Sequence, residues 1–133
     1  MTQILQPPGW AKPKGYSNGI AVKGGTTVYI AGQVGFNSQG VFEATTFAGQ
    51  FRQTLKNTLA VLAEAGGRPE HIVRMTWYVT DKRAYLAAGR EIGQAFREII
   101  GSYNAAMTAV EVTALIEDRA KVEIEATAVI PIA

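Results

Sequence analysis

Two glutamates near the end of the chain have the spacing of a proton-transfer site. Glu123 and Glu125 lie two residues apart in an alternating segment, so their side chains project from the same face of a predicted strand. A carboxylate on a partly covered sheet face can exchange protons with a substrate, and Glu111 on the preceding predicted strand is a candidate third member. The alternative is structural, with the glutamates in cross-strand ion pairs to nearby basic residues: Arg74, Arg119 and Lys121.

Three further residues are candidates through their positions in the predicted elements. Tyr16 follows Lys14-Gly15 in a loop, Arg90 lies inside the second predicted helix, and Met107 stands just before a predicted strand. Each also has an ordinary structural interpretation. Tyr16 would anchor a loop, Arg90 would lie on a solvated helix face, and Met107 would make an apolar contact.

Several kinds of chemistry are excluded by the residues that the chain lacks. There is no cysteine, which excludes disulfides, thiol nucleophiles and cysteine-bound metals. His71 is the only histidine, so no histidine pair exists for zinc or iron, and we expect it to be a surface or boundary residue. Gly24-Gly25 and Gly66-Gly67 lack the lysine and the spacing of a phosphate-binding loop. We therefore predict no cofactor and no metal.

The periodicity of apolar residues predicts an α+β protein with the order β-β-α-β-α-β-β. The approximate ranges are 19–23, 26–32, 45–65, 72–80, 83–100, 108–115 and 120–130. Gly24-Gly25 predicts a hairpin of the first two strands, and we expect the last two strands to form a C-terminal hairpin that starts near Asn104. Residues 1–15 predict an irregular arm held to the body by Trp10.

These elements predict a two-layer sandwich in one domain, residues 1–133, with two helices on one face of a mixed sheet. The helices leave the other face of the sheet without cover. Predicted outward residues there combine charges with apolar groups: Tyr78, Leu115 and Val129. Such a mixture suits a subunit interface better than open water, so we expect an oligomer.

Bulk composition is that of an ordinary globular protein. The chain has 133 residues, 47% of them hydrophobic and 18% charged, with a net charge of +2. The basic residues are scattered, which argues against nucleic-acid binding. No apolar run approaches the roughly 20 residues of a membrane helix, and the N-terminus lacks the pattern of a secretory signal. We therefore expect a cytoplasmic protein with no membrane partner.

Five segments, in order and with fitting spacing, resemble the Rid superfamily (YjgF, formerly called endoribonuclease L-PSP). The resemblance extends from about Gly15 to Ile130 and rests on residues 30–34, 53–66, 71–81, 110–112 and 122–126. It implies a chorismate-mutase-like fold of the bacillus type, and a homotrimer with a central barrel and three clefts between subunits. Members of the archetypal group hydrolyse enamines and imines to a 2-keto acid and ammonia without a cofactor.

The resemblance also assigns the parts of the cleft that this chain retains. The glutamate that positions water falls on Glu123, and the tyrosine of a Gly-Pro-Tyr loop falls on Tyr16, although Lys14-Gly15 replaces Gly-Pro here. The Gly-Gln backbone near the substrate falls on Gly32 and Gln33. The resemblance therefore implies that Glu123 and Tyr16 are catalytic and that Gly32 and Gln33 bind substrate.

The carboxylate-binding arginine of the family falls on Met107, and an asparagine that commonly lines the cleft falls on Arg90. Methionine has neither the charge nor the paired donors with which a guanidinium grips a carboxylate. We therefore expect standard 2-imino acids to bind poorly. Either Arg90 supplies a replacement cation, or the ligand lacks a carboxylate and Met107 forms an apolar wall.

The sequence supports an enzyme slightly better than a binding protein. The first hypothesis is a Rid-like hydrolytic deaminase with a shifted substrate range, in which Glu123 and Tyr16 act on water. The second is a non-catalytic trimer that binds a small metabolite, favoured by Met107 and the altered loop before Tyr16. A third, ribonuclease activity, is disfavoured by the near-neutral charge and the single histidine.

Overall fold

A mixed four-stranded sheet forms one layer of the molecule, and helices cover one of its faces. We describe a computed structural model that covers residues 2–102 and 105–132. Its elements, in chain order, are β1 (Thr2–Leu5), β2 (Gly19–Val22), β3 (Thr26–Gln33), α1 (Phe47–Ala63), β4 (Ile72–Val79), α2 (Lys82–Ala87), α3 (Gly89–Ile99), β5 (Ala106–Glu111) and β6 (Val122–Ile130). A 3₁₀ turn, Pro69–His71, precedes β4. The predicted α+β sandwich with a mixed sheet is confirmed.

The strand order in the sheet is β3-β6-β4-β5, with β4 and β5 parallel and the other pairs antiparallel. Both predicted hairpins are wrong. Strand β4 separates β5 from β6, because the crossover through α2 and α3 returns the chain parallel to β4. Strand β2 pairs with β1 and leaves the main sheet, since Gly24 and Gly25 both have positive φ and turn the chain away. Asn104, where the C-terminal hairpin was expected to begin, lies outside the described residues.

Alternation along the two central strands builds the core. Val122, Ile124, Ala126 and Ala128 of β6 are buried, as the period-two pattern predicts. In β4, Met75, Trp77 and Val79 are buried as expected, but Ile72 replaces Val73 in the core. The reason is a register shift between Ile72 and Arg74 against β6, which resets the alternation by one residue.

Helix α1 packs its apolar stripe on the sheet and also buries polar groups. Thr46 caps its N-terminus by accepting a hydrogen bond from the Gly49 amide, 3.1 Å away. Gln50, a polar residue of α1, is buried. Its amide donates to the Ala44 and Arg119 carbonyls and accepts from the Lys121 amide. Gln50 thereby ties α1 to the chain that enters β6.

The second predicted helix, 83–100, is two helices. Asp81 caps α2 by accepting from the amides of Arg83 and Ala84. The break falls at Ala88, whose φ of −90° and ψ of 13° lie outside the helical region. The break allows α3 to start with its own phase, which decides which of its side chains meet the sheet.

The N-terminal segment is more ordered than predicted. The expected irregular arm, residues 1–15, contains β1, which pairs antiparallel with β2 from Thr2↔Val22 to Leu5↔Gly19. Trp10 does not pin this segment to the core, because 64% of it is exposed. Among the described residues, no helix is both long and apolar enough to cross a membrane.

Candidate functional site

Glu123 lies directly over Gly32. Strand β3 has a register shift between Ile30 and Gln33 opposite β6, which brings Gly32 against the Glu123 side chain. A Cβ built on Gly32 would overlap the Oε2 of Glu123 and lie 3.0 Å from its Cγ. The carboxylate therefore occupies the space that any larger residue at position 32 would need. The two positions that the resemblance places in the cleft are in contact.

Glu123 lies on the sheet face opposite the helices, which we call the open face: Thr76, Tyr78, Glu123, Glu125 and Thr127. On this face the Tyr78 hydroxyl donates to Glu125 Oε1 at 2.6 Å. That hydrogen bond is the main reason that the pKa of Tyr78 is raised above 10.0, with desolvation and the nearby Glu125 charge adding to it. Glu123 and Tyr78 are direct partners across the strands.

The alternative interpretation of the glutamates as cross-strand ion pairs is not what the geometry favours. In the described part of the chain, neither Glu123 nor Glu125 has a basic nitrogen within 4.0 Å. Glu111 does not join them. Its carboxylate accepts from the Lys82 amide at 2.7 Å, at the start of α2, and its strand position places it on the helix side of the sheet.

Met107 lines a cavity of about 470 Å³ between α2, α3 and the sheet, which we call the Met107 cavity. Its walls are largely apolar, with Trp77, Tyr85 and Phe96 opposite Met107. Trp77 packs edge to face on Phe51, with ring centroids 4.9 Å apart, and tilts against Phe96 at 6.0 Å. Burial raises the pKa of the Tyr85 hydroxyl. The volume is that of a small-molecule site.

Met107 and Glu123 belong to opposite faces of the sheet. Met107 is the direct strand partner of Met75, which is buried beneath the helices, and it packs against the same core. Glu123 is the partner of Tyr78 on the open face. One copy of the chain therefore does not bring Met107 and Glu123 into one cleft.

The remaining predicted residues lie in three places. Tyr16 is half-buried beside the Met107 cavity, since Gly15 lines that cavity and the Ser17 amide donates to the Ala105 carbonyl at 3.0 Å. Gln33 points to a different cavity, beside α1, and its amide donates to the Ala31 carbonyl at 3.1 Å. Arg90 is exposed and is absent from the described lining of the Met107 cavity.

The arginine that does line the Met107 cavity is Arg97, which the sequence did not single out. It shares one side of α3 with Gly89 and Gly93, at spacings of four residues, and all three line the cavity. A Cβ on Gly93 would approach Arg97 Nη1 to 3.2 Å, so the guanidinium lies close along the helix surface. The Gly-x₃-Gly-x₃-Arg spacing was the available signal.

Metal ligands do not gather at either location. Within residues 2–102 and 105–132, no group of three or more histidine, aspartate or glutamate side chains is placed to hold a metal ion. The described residues provide a carboxylate on the open face, and an apolar cavity with basic residues on the helix face.

The fold and these positions define a member of a known family. The chain belongs to the endoribonuclease L-PSP family, that is, the Rid/YjgF superfamily, whose model matches residues 10–130. A RutC family protein of Aquifex aeolicus is 33% identical over 129 residues, which are 97% of this chain and 99% of the relative. The family resemblance of the sequence is confirmed.

Solved structures agree with this assignment. The Rid family protein YyfB of Yersinia pestis, a protein of unknown function, has a TM-score of 0.84 at 32% identity, over 97% of this chain and 98% of its own. E. coli TdcF with bound serine has a TM-score of 0.69 at 31% identity, over 96% and 98%. The chain therefore shares both the fold and the full length of these proteins.

Proposed function

We propose that the protein hydrolyses the C–N bond of a small enamine, imine or related compound, in a cleft shared between copies of the chain. The observation that carries this proposal is the contact of Glu123 with Gly32. Both stand at positions to which the family resemblance assigns a role, and the glycine leaves the space that the carboxylate occupies. A glutamate held in this way, on the face of the sheet free of helices, is suited to orient water.

The positions of the remaining residues favour a cleft between subunits. Met107 lines the cavity on the helix side and Tyr16 lies beside it, whereas Glu123 is on the open face of the same sheet. A site that uses Glu123 together with the residues at the Met107 cavity needs the cavity of one copy and the open face of another. A homotrimer of the kind expected from the resemblance would supply three such pairings and would cover the open faces.

In the proposed reaction, the oxygen of a water molecule bonds to the imine carbon while Glu123 takes a proton from that water. The C=N π electrons move to the nitrogen, which also gains a proton. The carbinolamine that forms then loses ammonia as the C–O bond becomes C=O. In total, one imine and one water give one carbonyl compound and one ammonia. Tyr16 would line the cleft and hydrogen-bond the polar end of the ligand.

Met107 changes the expected substrate. Replacing a guanidinium by a thioether at a carboxylate contact costs on the order of ~2–5 kcal/mol when the partner charge is buried. The standard 2-imino acids should therefore be poor substrates if they depend on this contact. The apolar walls around Met107 favour a ligand with a larger hydrocarbon part.

A non-catalytic trimer that binds a metabolite is the second candidate. It is favoured by Met107, by Lys14-Gly15 in the loop before Tyr16, and by the structural relative TdcF, which was solved with bound serine. Such a protein would be stabilised by its ligand without consuming it.

The deciding experiment measures keto-acid release from 2-iminobutyrate, generated in place by a threonine dehydratase. The variants are Met107→Arg, Glu123→Gln and the pair combined. We expect weak activity in the wild type, a gain of at least about tenfold in Met107→Arg from the restored charge-assisted bonds, and loss of that gain when Glu123→Gln is added.

If Met107→Arg is folded, binds the imino acid and shows no turnover, the hydrolase proposal is wrong and the binding protein takes its place. A wild type as active as Met107→Arg would contradict the assigned importance of Met107. Size-exclusion chromatography with light scattering on the same samples tests the trimer.

A further inference from the structure

The Met107 cavity is positively charged as well as apolar. Its described lining residues include two basic side chains, Lys14 and Arg97, and no acidic one. Both side chains are exposed to solvent, which screens their attraction for an anion, but no acidic residue in the described lining opposes it. The cavity therefore has the charge expected of a site for an anionic ligand.

Arg97 forms no ion pair with a described carboxylate, although its charge contributes to the lowered pKa of the adjacent Glu98. The adjacent Glu98 is turned towards α1, where Arg52 Nη1 lies 2.7 Å from its carboxylate and Gln94 donates to its other oxygen at 3.0 Å. No carboxylate of the described residues lies within 4.0 Å of the Arg97 guanidinium. The ion pair of Glu98 with Arg52 thus leaves Arg97 available to a ligand.

On its side towards the Met107 cavity, helix α3 has glycines at positions where larger side chains would take up space. Gly89, the first residue of α3, and Gly93 are both in the lining, and glycine at the interior position 93 costs stability relative to alanine. At Gly89 nothing lies within 4 Å of the position that a Cβ would take, so a larger residue would extend into open cavity. At Gly93 the missing side chain lets the Arg97 guanidinium lie against the helix. These two glycines keep volume and room for a cation at a cost to the helix.

The opposite wall favours an apolar body. Met107, Trp77 and Phe96 present a thioether and two aromatic rings to the same space. Trp77 is 5% exposed, and its indole Nε1–H is buried without an acceptor among the described residues. The Trp77 ring therefore contributes mainly apolar surface to this wall.

We propose that Arg97 anchors the carboxylate of a ligand whose apolar, aromatic-sized body packs against Met107, Trp77 and Phe96. The anion is then held from α3 rather than from β5, where the family has its arginine. This inference deepens the proposed function and rests on it in one respect, namely that the Met107 cavity forms part of the substrate cleft. It makes Arg97 a specificity-determining residue that selects apolar carboxylates over short imino acids.

Trp77 provides the readout. The chain has two tryptophans, and Trp10→Phe leaves Trp77, in the cavity wall, as the only one. In that background, phenylacetate and its neutral analogue phenylacetamide are titrated while the fluorescence of Trp77 is followed. We expect phenylacetate to bind at least tenfold more tightly than phenylacetamide, and Arg97→Gln to weaken phenylacetate at least tenfold while phenylacetamide is unchanged.

Three variants complete the design. Arg83→Gln is the matched control, since Arg83 is exposed on α2 and outside the described cavity lining, and it should bind phenylacetate as the parent does. Arg97→Lys should recover part of the affinity, because it keeps the charge but loses the paired donors. Lys82→Gln is a second control, since Lys82 is also exposed and outside the described cavity lining, and it should bind phenylacetate as the parent does.

Several results would overturn the inference. One is equal affinity of Arg97→Gln and the parent, and another is absence of any phenylacetate-dependent change in Trp77. Loss of binding in Arg90→Gln with Arg97→Gln unaffected would assign the anchor to Arg90 instead. Because the titration needs no turnover, failure of the hydrolase proposal leaves its result intact, and its own failure leaves the keto-acid assay unaffected.

Discussion

The two faces of the sheet differ in how closely they keep to the family pattern. On the open face, Glu123 and Gly32 are the residues that the family resemblance requires, and they are in contact. On the helix face, the arginine is replaced by Met107 and the loop before Tyr16 reads Lys14-Gly15. The departures from the pattern are thus concentrated at the Met107 cavity.

This separation indicates which half of the site has diverged. The open face carries the carboxylate that would act on water, and the helix face carries the groups that would contact the rest of the ligand. Changes confined to the second half alter which molecule is bound while leaving the reaction chemistry in place. The comparison therefore predicts that substitutions on the two faces have separable effects, on turnover and on ligand affinity.

The largest expected effect comes from Gly32→Ala. Its new methyl group overlaps the Glu123 carboxylate, which can swing aside because it ends a flexible side chain, so turnover should fall strongly while the free energy of unfolding falls by at most about 1 kcal/mol. Urea unfolding and the keto-acid assay measure the two effects. In Gly32→Ala/Glu123→Ala the stability should largely return, because the overlapping atoms are gone. Phenylacetate affinity, a property of the other face, should not change.

If Gly32→Ala changed neither stability nor turnover, the contact between Glu123 and Gly32 would not constrain the carboxylate. If it weakened phenylacetate binding as strongly as Arg97→Gln does, the two faces would be coupled and the division between them would be wrong.

Much of the fold could be predicted because the signals that decide it are local. The alternation of Val122, Ile124 and Ala126 defines a strand with one buried face wherever that strand lies in the sheet. The spacing of Phe51 and Leu55 defines α1 in the same way. Which strands pair is a different matter, because it depends on packing between distant segments. Strand β5 pairs with β4 rather than with β6, and no local pattern in residues 106–111 indicates this pairing.

The residues of the candidate site, like the fold, could be predicted from the sequence only in part. Glu123 and Gly32 were found through the family resemblance, but the side of the sheet that Met107 occupies is set by its register with β4. That Arg97 rather than Arg90 lines the Met107 cavity has a similar cause. An error of one residue in helix phase turns a side chain by about 100°, and the break at Ala88 lets α3 take its own phase. Gly89 and Gly93, read together with Arg97, indicate the side of α3 that lines the Met107 cavity.

A smaller effect is expected at Tyr78 on the open face. Its hydrogen bond to Glu125 raises the pKa of Tyr78 above 10.0, so the folded protein holds this proton more tightly than the unfolded chain does. The stabilisation is complete below pH 10 and is lost as the pH rises through the raised pKa. The unfolding temperature should therefore fall less steeply with rising pH in Tyr78→Phe than in the wild type. Glu125→Gln should behave like Tyr78→Phe. Equal slopes in all three proteins would contradict the assigned hydrogen bond.

The smallest effect is expected at the exposed pair of Arg52 and Glu98 on the helix face. The hydrogen bond from Arg52, aided by Gln94, lowers the pKa of Glu98 below 4.5, so the pair stabilises the fold above that pH and ceases to do so as the pH falls through the lowered pKa. Arg52→Ala should cost little stability at neutral pH and nothing in acid, since exposed ion pairs are weak and screened by salt. Urea unfolding at the two pH values measures the difference.

The same pair joins α1 to α3, the helix that carries Arg97, so Arg52→Ala sharpens the comparison of the faces. It should weaken phenylacetate binding slightly, by much less than Arg97→Gln, and leave the open face unaffected. A loss as large as that of Arg97→Gln would mean that the anchor depends on how α3 is held against α1. The specificity of the Met107 cavity would then be set by the packing of two helices as well as by the charge on one of them.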